Sequence, residues 1–355
     1  MMSRRPSPLP DSLPESFSVA QAQDAGVSPR RLRARDLTAP FRGVRSRPPA
    51  ESAAAVDDDA SPAANENARL RLTIHRAARA YATRAVPGIL YTHVTAAVIW
   101  DLPLPLRLLR RGAEAIDVAV LGERRAPKCV GVRGHQLRAE LTRTGVRRGL
   151  RVAAPASVWA QVAPLLSAAE LVELGDAIVH IPRRRGMHRG TPADALATRD
   201  DLVEAMEAGR RVGAARLRAA LGLIRVGAAS PPETRIRLAC ARRQLPEPLL
   251  DVDVFGVDGR PIGFTELAFP DHGVLVEYEG DHHRRSPKQW QRDIEKHAAC
   301  VAAGWEVVRL TAADLHRDAA PAAAKIAAAL ARGDLRRSSV PWGRVAAADA
   351  AGGDG

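Results

Sequence analysis

Hydrophobic and polar residues alternate along 250–255 and again along 262–269, the period-two signature of strands that bury one face. The Asp258-Gly259 pair between them signals a tight turn. A second turn, Pro270-Asp-His-Gly273, leads into Val274-Leu-Val-Glu-Tyr-Glu279, an apolar run of the kind found in central strands. The period then becomes helical. Trp290, Ile294, Ala298 and Val301 fall on one face of a helix opened by Ser286 and Pro287 and closed by Gly304. Residues 305–310 read as a further strand, and Thr311 and Asp314 cap a last helix that runs to about 331 with a break near Pro321. Upstream, Ser230-Pro-Pro-Glu233 reads as a capping box with proline at the first helical position. The predicted order over 230–333 is α-β-β-β-α-β-α.

The pattern divides the rest of the chain into blocks. Residues 1–16, rich in Pro and Ser, read as disordered, and 46–64 as a linker. Between them, 17–45 has helix, Gly26 turn and helix, with Ser28 as cap and Pro29 at the first position of the second helix. That is helix-turn-helix spacing, and residues 41–45 fit a wing strand. The second helix would offer Arg30, Arg31, Arg33 and Arg35 to a major groove; a helical hairpin with a solvated basic face is the plainer alternative. Residues 65–190 predict a small α/β domain. It has helices over 68–83, 91–100, 157–166 and 168–175, and strands at 116–121, 130–137 and 150–152. In it His93 reads as a capping or packing residue. Residues 191–229 form a helical connector, and 334–355 a disordered tail. The fold class expected is α/β, multidomain.

Charge changes the picture more than length does. The chain of 355 residues carries a net charge of +13, which draws it to polyanions, nucleic acid first. Alanine and arginine abound, as in chains encoded by GC-rich genomes, so composition by itself leaves the partner open. Cys129, Cys240 and Cys300 are far apart and odd in number. This argues against a disulfide framework or a cysteine zinc site and suits the cytoplasm. No apolar run long enough to span a membrane appears, and no secretory signal follows the first arginines.

Side chains alternate across a strand, so Glu277 and Glu279 share a face and Tyr278 takes the other. Glu266 stands in the neighbouring predicted strand. If the two strands pair, these carboxylates converge, and like charges held close repel. Burying such a cluster is costly, and a hard cation such as Mg²⁺ or Mn²⁺ removes the cost. That cation would polarise a phosphoryl oxygen and activate water. Glu233 has a simpler reading as the acid of its capping box, and the two roles can coexist.

Helix-borne Glu233, Glu266-Leu-Ala-Phe-Pro270, Val276-Glu-Tyr-Glu-Gly-Asp-His-His283 and Gly304-Trp-Glu-Val-Val-Arg309 occur in a particular order. That order resembles actinobacterial domain-of-unknown-function proteins allied to very-short-patch mismatch repair endonucleases, within the PD-(D/E)xK restriction-endonuclease-like superfamily. The resemblance covers about 230–316 and implies a restriction-endonuclease-like αβββαβ domain. It implies catalytic roles for Glu233, Glu266, Glu277, Glu279 and His283, with Glu266, Glu277 and Glu279 as metal ligands. His283 would be the general acid or base, and Arg292 and Arg309 would hold phosphate. Glu stands at 266 where the family has Asp. Glu279 occupies the place of the superfamily's usual lysine, which the mismatch repair endonucleases also lack. Gly26 to Arg45, His93-Val-Thr-Ala-Ala97 and Gly131-Val-Arg-Gly-His135 are similar to abortive-infection type IV antitoxins, which implies a winged helix-turn-helix followed by an α/β domain.

Two functions follow from these expectations. One is a metal-dependent DNA endonuclease in repair or phage defence, acting alone, as a homodimer or with a partner protein. The other is a DNA-binding regulator of the antitoxin type whose nuclease-like domain is degenerate.

Overall fold

The structure, a computed structural model, describes residues 6–48, 61–84, 87–184, 190–280, 287–336 and 342–346. It is mixed α/β with three sheets and divides into two units, Met1–Leu165 with Glu204–Ala214, and Leu166–Val203 with Ala215–Gly355.

The first unit begins with strand β1 (Ser16–Ser18), helix α1 (Val19–Asp24) and strand β2 (Val44–Ser46), with β1 and β2 paired antiparallel. Ser18 and Gln21 close a reciprocal capping box on α1. Phe17, Ala22, Val27 and Leu32 bury around them, and Leu13 joins this cluster. Arg47 also ties the stretch before β1 to this cluster by donating to the Pro10 carbonyl at 2.9 Å.

The second helix expected after Ser28 is a single 3-10 turn, Arg31–Arg33. Thr38 already bridges to Ser46, which draws the chain back to the sheet and leaves room for one turn only. Arg31 points inward, its guanidinium bonded to the Ser7 carbonyl and to both oxygens of Asp36 at 2.9 and 2.6 Å. Arg30, Arg33 and Arg35 are exposed on this turn and on the stretch that follows.

Helix α2 (Pro62–Ala82) and strand β3 (Ile89–Tyr91) lead into α3 (His93–Ile99) and α4 (Leu106–Glu114). Strands β4 (Ile116–Leu121), β5 (Val132–Leu137), β6 (Thr144–Arg147) and β7 (Leu150–Ala153) precede α5 (Pro155–Val162). The sheet order is β5-β4-β3-β7-β6. The expected helix over 91–100 starts two residues later because Ile89–Tyr91 pairs with β4 and β7. Helix α3 ends at Ile99, and the Leu-Pro-Leu-Pro run after it supplies Pro105 as the N-cap of α4.

In the second unit, α6 (Ala168–Val179) packs on α9 (Pro231–Arg242). Buried Asp176 accepts from the Thr234 hydroxyl, Arg237 Nη2 and the Arg225 N–H, each at 2.8 Å. Thus α6, which the sequence pattern grouped with 65–190, shares its buried contacts with the 230–333 segment. Helices α7 (Arg199–Glu207) and α8 (Ala214–Leu221) lie between them in the chain.

Strands β8 (Leu249–Phe255), β9 (Pro261–Phe269) and β10 (Val274–Glu279), helix α10 (Pro287–Ala302), strand β11 (Glu306–Thr311) and helix α11 (His316–Arg336) follow in the predicted order. The sheet order is β11-β10-β9-β8-β12, with β10 and β11 parallel. The last strand, β12 (Arg344–Ala346), pairs with β8 in the segment read as a loose tail. Trp342 Nε1 donates to the Pro270 carbonyl at 2.9 Å, which holds the tail down. The break in α11 falls at Arg317–Ala319, three residues with positive φ, so that Pro321 opens a new helical turn where a missing N–H is tolerated.

Both faces of this sheet are covered. Ile236, Cys240, Phe269, Val276, Leu310 and Ile326 pack between the sheet, α9 and α11. Val252, Val254, Leu275, Cys300 and Trp305 form the core on the α10 side. Among the described residues no helix is long and apolar enough to cross a membrane. The three cysteines are free thiols.

Candidate functional site

Strand alternation puts Glu277 and Glu279 of β10 on the α10 side, while Tyr278 packs against the α9/α11 core. The β9–β10 ladder ends at the pair Val276–Leu267. Just beyond, the Glu266 carboxylate takes the place of the ladder partner and accepts the Tyr278 N–H at 2.7 Å. The extra methylene of a glutamate is taken up by this reach across to the next strand.

Glu233 approaches from the start of α9 and is 4% exposed. Its carboxylate accepts from the Ser230 hydroxyl at 2.6 Å and from the Ala229 N–H at 2.8 Å. The expected capping box is thus replaced by a different arrangement, since the Ser230 hydroxyl donates to Glu233 and makes no side-chain cap on the helix.

Burial, with the charges of Glu233 and Glu277 added, pushes Glu266 up to about 8, against an ordinary value of 4.5. Burial likewise raises Glu233 to about 7, with Asp251 and Asp176 adding to it. At both residues burial is the larger cause and neighbouring carboxylates add to it. Asp251, which the sequence pattern did not single out, sits on β8 at φ +47. It is gripped with Asp253 by the Arg183 guanidinium.

The other expected residues lie differently. Glu279 is ion-paired with Arg309 of β11, which ties both to each other at the surface. Arg292 is exposed on α10. His283 lies outside the described residues. A cation absent from the sequence reading is present: Lys296 of α10 is ion-paired with Glu277. Of the apolar stripe Trp290, Ile294, Ala298 and Val301, the side chain of Trp290 lies outside the described residues, and the other three point to solvent, with Ile294 43% and Val301 54% exposed. Cys300 and Ala303 face the sheet instead. Lys296, Cys300 and Ala303 stand at i, i+4 and i+7, so the helical period that would have found this lysine was in the sequence. Between α10 and the sheet opens a cleft of about 2080 Å³ lined by Glu266, Glu277, Glu279, Arg292, Lys296 and Arg309.

Among the described residues no group of three or more His, Cys, Asp or Glu side chains is placed to hold a metal ion. The pair Glu266 and Glu277 remains, and a hard divalent cation such as Mg²⁺ needs only one or two carboxylates, with water and phosphate completing its shell. Burial is the larger part of what lifts Glu266, and a cation beside the carboxylate would relieve that cost.

In the first unit, His93 and His135 stack with ring centroids 4.1 Å apart. His135 Nε2 and Arg133 Nη1 bond to the buried Asp117 carboxylate at 2.9 and 3.1 Å. Burial and the neighbouring His135 lower His93 to about 4, so it is neutral at physiological pH. His93 opens α3 at φ +46, and its Nδ1 lies 3.1 Å from the Thr92 hydroxyl. No family model, curated protein or solved structure matches the chain.

Proposed function

We propose that the second unit is a metal-dependent endonuclease that hydrolyses phosphodiester bonds in DNA. The observation that carries the reading is the burial of Glu266 with Glu233 and Glu277 crowded beside it, burial being the larger cause that lifts it to about 8. Such crowding works against folding, and a bound cation would offset it. Glu266 and Glu277 would hold that cation, Mg²⁺ or Mn²⁺, which when bound supplies Lewis acidity and an activated water. Glu233, anchored by Ser230 and Ala229, keeps a negative charge or a proton beside Glu266 and so sets the charge of the pair. Arg292 stands at the cleft where a phosphate backbone would enter, and a net charge of +13 favours such a polyanion.

The regulator reading leaned on a recognition helix, and that segment is one 3-10 turn with Arg31 engaged inward. No observation favours it over the hydrolase.

Calorimetric titration with Mn²⁺ tests the proposal. The wild type should bind, and the Glu266→Gln, Glu277→Gln double variant should not. Cleavage of supercoiled plasmid should follow the same split. Failure of the wild type to bind Mn²⁺ would refute the metal-dependent reading.

A further inference from the structure

The cleft sets Glu266, Glu277 and Glu279 beside Arg292, Lys296 and Arg309, and a phosphodiester site of this kind needs a donor close to the reacting atoms. Of the cations in the cleft, Lys296 is the one the fold pairs with Glu277. Cys300, one turn further along α10, and Ala303, just past its end, anchor the helix face that carries it. Its stem crosses β9 at Gly263, where a Cβ would lie 3.3 Å from Lys296 Cδ, so the missing side chain makes the passage. Its ammonium lies 5.5 Å from the Phe264 ring centroid and is ion-paired with Glu277. Both partners of that pair are three-quarters buried, with side-chain exposures of 25% and 23%. By contrast the Arg309–Glu279 pair is 53% and 38% exposed. A lysine ammonium has three donors, and the bond to Glu277 uses one.

We propose that Lys296 is a catalytic residue of this site, its ammonium bridging Glu277 and a non-bridging oxygen of the scissile phosphate. The inference rests on the hydrolase reading above. In the step it serves, a water oxygen forms a bond to phosphorus. The bond from phosphorus to the leaving sugar oxygen breaks with its electron pair, and the proton lost by the water ends on that oxygen. Lys296 gives and takes no proton. It offsets the charge that gathers on the phosphoryl oxygens.

The test uses the full chain, Mn²⁺ and supercoiled plasmid, with Lys296→Met, Lys296→Arg and Gly263→Val. The Met variant should bind Mn²⁺ at least as tightly as the wild type, because a positive charge has left the ligand pair. Its kcat should fall about 100- to 1000-fold, the range for losing one transition-state donor, with KM little changed. The Arg variant should recover part of that loss. Gly263→Val, which displaces the lysine stem without altering any charge, should lower kcat in the same direction. Wild-type cutting matched by the Met variant would overturn the role of Lys296 alone. Loss of Mn²⁺ binding in the Met variant would make Lys296 a positioning residue for Glu277 and overturn a direct role. If the wild type leaves plasmid uncut, the hydrolase reading fails and this proposal falls with it.

Discussion

Glu266→Gln should make the metal-free protein more stable, and the gain should appear only as pH rises. The native state keeps the Glu266 proton up to about 8, whereas the ordinary value for the carboxyl is 4.5. Between those values the unfolded chain has released a proton that the folded chain still binds, so wild-type stability falls as pH rises through the window. The displacement corresponds to roughly 5 kcal/mol in favour of the protonated form. Glu266 is partly exposed and interacts with Glu233, so relaxation and solvent should leave about 2–4 kcal/mol of it measurable. Glutamine keeps the shape and an oxygen for the Tyr278 N–H while carrying no charge. The variant and wild type should therefore match near pH 5 and part by pH 9. At about 2–4 °C per kcal/mol for a unit of this size, the variant should then melt roughly 4–16 °C higher. Thermal unfolding followed by circular dichroism in chelator, from pH 5 to pH 9, reads this directly. Added Mn²⁺ should close the gap by raising the wild type at pH 9 and leaving the variant unmoved. A variant no more stable than wild type at pH 9 would refute the raised Glu266 carboxyl on which the proposed site rests.

Other consequences are independent of catalysis. Asp176→Ala should cost about 3–5 kcal/mol in urea unfolding, because it strands the buried Arg237 guanidinium, 4% exposed, without its partner. Trp342→Ala should lower stability by about 2 kcal/mol and speed proteolysis of the C-terminal end, since the indole covers Gly273 and bonds to Pro270. Unchanged protease resistance would count against the edge-strand role of residues 342–346.

Much of the second unit was legible in the order of residues. Period two located β8 and β9, an apolar run located β10, and strand alternation put Glu277 and Glu279 on one face. The Asp258-Gly259 and Gly273 turns then set which strands are neighbours, with Gly259 at φ +78 and Gly273 at φ +64. These signals are local: a strand shows its faces within a few residues, and a tight turn selects its own backbone.

Tertiary structure decided which charges meet. Glu279 found Arg309 on the parallel neighbour, Glu277 found Lys296 on a helix further along the chain, and Glu266 found a backbone N–H where the ladder opens. The apolar stripe of α10 misled for the same reason. A helix shows two faces with helical spacing, and only contact with Leu275 and Trp305 chose the one bearing Cys300 and Ala303. Residues 28–37 have the letters of a helix, yet the bridge from Thr38 to Ser46 limits them to one turn. The segment 342–346 has no strand period of its own and gains its form from the free edge of β8. Sequence periodicity determined the elements and their faces because those depend on neighbours along the chain. The partners of each carboxylate, and with them the chemistry of the cleft, depend on neighbours in space.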